Sequence, residues 1–212
     1  MPGVRRLDAS TLAAAAGVVG PACFVGGWLA AAALRPGYSS RTQAISQLAR
    51  EGAPHRTVMT GAFVAFGVAM PVFAGPLVRA LAGGRTLRLA VTVSGLATIA
   101  VAACPLSRSG GGTRDLVHGA FAVTGYVAMV AAAALGAHAL RAEGRPALAR
   151  ASWVVAAVAA ASLAATTLGR DVGLYQRLGL GAVDAWYAVA SLSIVVATRS
   201  STPRPGAARV TA

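Results

Sequence analysis

The sequence predicts an all-α fold: an integral membrane bundle of six transmembrane helices, both termini cytoplasmic, with a short interfacial helix in the first outer loop. Three observations predict it. Six stretches, 9–34, 57–78, 89–107, 116–140, 151–169 and 178–198, carry no charged residue except Asp184 in the last. Each reaches or approaches the about 20 residues that cover a hydrocarbon core, and a backbone in lipid must satisfy its own hydrogen bonds as a helix. Hydrophobic residues are 56% of the 212 and charged residues 12%, about half the charged share of ordinary soluble domains. All 19 basic residues are arginine, gathered in the short connectors, where they anchor helix ends against head groups. The net charge of +13 therefore forms no basic stripe of the kind that grips nucleic acid.

Counting arginines orients the chain. With the N-terminus inside, 11 arginines fall on the inner side and 8 on the outer, which places both termini in the cytoplasm. Residues 1–199 form one six-helix domain, and 200–212, with Pro203, Pro205 and Gly206, form a disordered cytoplasmic tail. The first span follows Arg5-Arg6 as a secretory signal would, yet its apolar run exceeds the 7–15 residues of a signal core, so it reads as an uncleaved helix. Gly20-Pro21 in that span, and Pro71 and Gly75-Pro76 in the second, are expected to kink those helices or end them early. Abundant Ala and Gly predict closely packed walls. Cys23 and Cys104 lie at different depths, read as small packing residues, and form no disulfide.

The first outer loop, 35–56, opens on the helix stop Pro36-Gly37. Ser40 and Gln43 have capping-box spacing, and Ala44, Ile45, Leu48 and Ala49 then recur on one face. The expected product is a short amphipathic helix, plugging the bundle or covering a site. The second outer loop, 105–118, holds three glycines before Arg114, Asp115 and His118. Asp115 suits a helix N-terminus. It also shares a face with His118 and could orient that imidazole for acid/base work.

The third outer loop carries Arg170, Asp171 and Arg177, with Asp184 two turns inside the last span. A charge there needs a partner, and Arg177, His118 and Arg114 are the candidates for a structural ion pair. Trp28, Trp186 and Tyr187 read as an aromatic belt. No ionisable group is expected at any midplane, which weighs against pumps and ion-coupled transporters. The inner connectors are brief and plain. No HxxH, HExxH or CxxC spacing occurs, and His118 and His138 sit at opposite ends of one helix. No metal, haem or other cofactor is therefore expected.

RPGYSSRTQAISQLA, CPLSRSG with RDLVH, and GLYQRLGLGAVDAWY resemble the bacterial membrane family catalogued as domain of unknown function 998. The likeness spans roughly residues 12–198 in the same six-helix order, with matching positions at Pro36-Gly37-Tyr38, Ile45-Ser46-Leu48, Pro105, His118, Gly173-Leu174 and Arg177. Family members carry a carboxylate soon after the proline matching Pro105, where this chain has Leu106-Ser107-Arg108. The resemblance implies a polar outer cluster in an integral membrane protein and no established activity.

The expected function is that of a non-enzymatic protein of the bacterial inner membrane. It would bind a lipid or protein partner through an outer cluster of Tyr38, Ser46, His118, Arg177 and Asp184, with no nucleic acid and with a homo-oligomer or membrane-protein partner in view. One alternative is a hydrolase or transferase on lipid head groups, with His118 as base, Asp115 as its orienter, Arg177 as anion clamp and Asp184 a further candidate. It lacks a nucleophile motif. The other alternative is a small-solute transporter, suggested by the echo of Leu106-Ser107-Arg108 before Asp115 in Leu168-Gly169-Arg170 before Asp184.

Overall fold

The computed structural model describes residues 9–200, without the side chain of Arg199. Six helices form: α1 (Ala9–Ala33), α2 (Arg56–Ala80), α3 (Arg85–Ala103), α4 (Thr113–Ala142), α5 (Pro146–Ala165) and α6 (Val172–Ser200). All six are long and apolar enough to cross a membrane, and the protein is a multi-pass helical bundle. Each helix packs on its chain neighbours, and α6 returns to α1 to close the ring while also touching α2 and α4. One end carries the connectors 34–55, 104–112 and 166–171, and we call it the capped end.

Small residues set the spacing, as expected. A Cβ on Gly95 would stand 2.7 Å from the Gly67 carbonyl oxygen, and one on Gly67 would stand 2.9 Å from that of Gly95, so α2 and α3 touch backbone to backbone. Gly17 and Gly20 likewise admit Phe73 and Ala69 of α2 against α1. Such approach supplies the dispersion contacts that hold helices where lipid gives no hydrophobic drive.

Several expectations change. α1 runs through Pro21, and α2 through Pro71 and Pro76, so the prolines do not end either helix. Cys23 is exposed on the bundle flank and does no packing. Tyr187 is wholly buried against Phe73, and the Trp186 indole donates to Ser152 Oγ at 2.8 Å, so neither belongs to an aromatic belt. α6 begins at Val172, six residues before the expected 178, because Arg177 is satisfied inside the protein and marks no lipid boundary. Asp184 is then twelve residues into a 29-residue helix, about 18 Å from its start. A buried ionisable group thus does stand near mid-span. Ser200 is helical; the rest of the expected tail, 201–212, lies outside the described residues.

Candidate functional site

The first connector folds back over the capped end. Its capping box forms one residue earlier than expected: the Ser39 N–H donates to Gln43 Oε1 at 3.1 Å, and Ser39 Oγ accepts from the Thr42 N–H at 3.3 Å. Ser39 closes a turn, and the expected amphipathic helix is a five-residue 3-10 helix, Ile45–Ala49, with all but Gln47 buried. It is a plug packed on α1, α2 and α6. Gln176 of α6 caps it, accepting the Ile45 N–H at 2.7 Å.

Arg177 holds this connector down. Its Nη1 donates to the carbonyls of Ser40 (2.8 Å), Gln43 (3.2 Å) and Gly173 (3.0 Å), and its Nη2 to the Tyr38 hydroxyl (2.6 Å). The guanidinium also lies 4.8 Å over the Trp28 ring. Only a planar fork of donors serves so many acceptors at once. Around it, Arg41 pairs with both oxygens of Asp171 at 2.8 and 3.0 Å, and Leu174 N–H reaches the Arg41 carbonyl at 2.8 Å. The hydrogen bond from Arg41 holds the Asp171 carboxyl below the usual carboxylate range. Burial raises the Tyr38 phenol above its ordinary value, against the opposing pull of Arg177.

The second connector docks beside the first. Asp115 accepts the Ser107 and Gly111 backbone N–H groups, each at 2.8 Å, one per carboxylate oxygen. Arg114 pairs with Glu51 at 2.5 Å, and the Glu51 N–H donates to the Leu106 carbonyl at 3.0 Å. His118 is buried, with Nδ1 2.6 Å from the Cys104 carbonyl. A carbonyl only accepts, so Nδ1 carries the proton. Nε2 is buried, with no partner among the described residues. Asp115 therefore orients a loop, and His118 leans on a carbonyl; the expected dyad does not form.

The expected site residues thus separate. Tyr38 and Arg177 are bonded to one another, and Ser46 lies in the plug they hold. His118 belongs to the other connector's root. Asp184 lies seven residues below Arg177 on α6, about 10 Å along the axis. It is 3% exposed, and among the described residues neither carboxylate oxygen has a partner. The expected ion pair with Arg177, Arg114 or His118 is replaced by the cap bonds just described, which occupy those three residues. Among the described residues the buried Tyr126 hydroxyl also has no partner.

Beneath the plug lies a cavity of about 60 Å³, measured as space open to the centre of a water-sized sphere. Five helices and the plug line it: Phe24, Phe63, Phe66, Phe121 and Tyr126 supply aromatic walls, while Ser46, Thr98 and Gln176 are the polar spots. A larger groove of about 310 Å³ lies at the opposite end along α5 and α6. Its rims Leu148 and Val189 are 47% and 65% exposed, so it belongs to the lipid-facing flank. Sequence reasoning missed Gln176, Tyr126 and the cavity, and read Trp28, which lies under Arg177, as an aromatic-belt residue. The i, i+4 spacing of Gln176, Leu180 and Asp184 was the available signal for one face of α6.

Residues 18–193 match the family model described as "Protein of unknown function (DUF998)". No curated protein and no solved structure matches the chain.

Proposed function

We propose that this chain, which belongs to the DUF998 family, is a non-enzymatic membrane protein that takes the apolar end of a membrane lipid into the cavity beneath its cap. The reading places both termini in the cytoplasm of a bacterial cell and the capped end outside. One observation carries it: a roof of mutually bonded polar groups closes over an aromatic cavity lined by five helices. At ~10–15 Å³ per water centre, the space holds a few waters or the end of a hydrocarbon chain. Its walls favour the chain.

The polar cap groups support a lid better than a reaction. Arg177 is engaged on four oxygen acceptors and is poorly placed to clamp a phosphate. His118 has no carboxylate orienter and no hydroxyl or thiol nucleophile bonded to it, which counts against the hydrolase and transferase readings. The six helices are unbroken, whereas the transporter reading called for a discontinuous one.

Photocrosslinking tests this directly. The protein is reconstituted with a phospholipid carrying a diazirine near the end of its acyl chain. Adducts on the buried lining residues Phe24, Phe63 or Phe66 are expected. Adducts confined to flank residues such as Val154 and Val189 would sink the proposal.

A further inference from the structure

The buried carboxyl of Asp184 has a counterpart on α1 that the two helices' register reveals. α1 and α6 run antiparallel, and two contacts fix their alignment. Near the cap, Arg177 lies 4.8 Å over Trp28; deeper, Ser191 Oγ donates to the Ala14 carbonyl at 2.6 Å. On α6, Asp184 lies seven residues from both Arg177 and Ser191; on α1, Pro21 lies seven residues from both Trp28 and Ala14. A seven-residue step returns to nearly the same helix face. Asp184 therefore faces the level of Pro21.

Proline has no N–H, so the Gly17 carbonyl, four residues earlier, loses its helical donor at this level. Phe73 packs against Gly17, and its ring meets Tyr187 edge-on with centroids 6.1 Å apart. The Tyr187 hydroxyl is buried beside Ser94 of α3. Asp184 and the Tyr187 hydroxyl thus lie at mid-bundle, and the register sets the Gly17 carbonyl of α1 at the same level. The titratable groups facing this layer are Tyr126 from α4 and Tyr187 from α6 itself; α1 has Cys23 at this depth, exposed on the bundle flank, and α2, α3 and α5 have none. Among the described residues, no arginine or histidine contacts the carboxylate.

We propose that Asp184, with Tyr187 and the Gly17 carbonyl freed at Pro21, binds one alkali cation of sodium size in the middle of the bundle. Hard oxygen donors select a hard cation. A single carboxylate neutralises a single positive charge. A divalent ion would leave a net charge in a low-dielectric interior, which costs several kcal/mol. This site goes beyond the lipid cavity and is tested without it.

The experiment follows thermal unfolding of the purified full chain in detergent, titrating sodium chloride against choline chloride at constant ionic strength. A ligand that binds only the folded state raises Tm in a saturable way. The wild type is expected to gain several degrees with sodium, and Asp184→Asn to gain none. Pro21→Ala keeps the charge, restores a donor to the Gly17 carbonyl and relieves a helix defect. It should fold at least as well as wild type while needing roughly ten times more sodium, one lost ion–dipole contact of about 1.4 kcal/mol. Should Asp184→Asn fail to fold, Tyr187→Phe serves in its place and is expected to weaken the sodium response. Equal stability in sodium and choline overturns the proposal, as does an unchanged sodium response in both Asp184→Asn and Tyr187→Phe. A Tm that follows pH through Asp184 but ignores sodium means that the site holds a proton alone, and overturns it too.

Discussion

Replacing Arg177 with methionine keeps most of the side chain's length and removes its charge and every donor. Four oxygen acceptors lose a charged donor, among them the Tyr38 hydroxyl at 2.6 Å, and the Trp28 ring loses the guanidinium above it; the Gln43 carbonyl keeps the Tyr38 hydroxyl at 3.1 Å. Hydrogen bonds to a charged group are worth roughly 1.5–3 kcal/mol each. Water at the half-buried cap recovers part of that, since exposed ion contacts contribute far less. A net loss of roughly 3 kcal/mol is expected, within the range for breaking a buried polar network. For a chain of this size each kcal/mol moves Tm by about 2–4 °C, so the variant should melt roughly 6–12 °C below wild type. The assay is thermal unfolding in one detergent, followed by helical circular dichroism. Lysine at 177 should recover only part of the loss, because a point charge cannot serve the fork. Tyr38→Phe combined with Arg177→Met should cost less than the two changes separately, since they share a bond. A shift under 2 °C for Arg177→Met would refute the view that Arg177 pins the cap.

Other consequences follow from the same geometry. Asp115→Asn leaves the Ser107 and Gly111 N–H groups competing for one acceptor, so hydrogen exchange should accelerate across 105–112 while His118 stays protected. Gly95→Val drives a side chain into the Gly67 carbonyl; overpacking of this kind costs about 1–3 kcal/mol or more, and a wild-type Tm would discard the close helix contact. Burial raises the Tyr38 pKa, so the neutral phenol favours the folded cap. That stability is complete below the ordinary value near 10 and is lost as pH rises through the raised one; protease nicking within 35–55 should begin only in strong alkali. The Asp171 pKa is lowered chiefly by Arg41, so its contribution is present above the ordinary carboxylate range and fades as pH falls through the lowered value. Arg41→Gln should abolish that acid sensitivity.

The spans were legible because length and charge spacing are one-dimensional quantities. Lipid converts both directly into helices: α2 and α4 start within three residues of where the uncharged runs predicted, while α3 and α5 start four and five residues earlier through arginine-bearing first turns. The largest shift is instructive. Arg177 was read as a loop residue of an outer binding cluster and is a tertiary clamp, a difference that depends on loop carbonyls no spacing rule can place. That error moved the start of α6 and concealed the depth of Asp184. Asp115 was legible as a first-turn acid, but its choice of loop N–H groups over His118 depends on how 105–112 turns through Gly110, Gly111 and Gly112, all at positive φ. The Arg177, Asp184, Ser191 heptad was visible in the sequence; its meaning needed the facing Trp28, Pro21, Ala14 heptad, which only the antiparallel pairing of α1 and α6 reveals. The cavity was illegible throughout, since five helices and a plug contribute to it and no single segment carries its pattern.

The lipid cavity is tested most directly by native mass spectrometry of the wild type beside Ala122→Phe, which places a ring into the space under the plug. The expected result is one lipid retained by wild type and lost from a variant of unchanged Tm. A wild type that retains nothing, or a variant that retains the same lipid, contradicts the account.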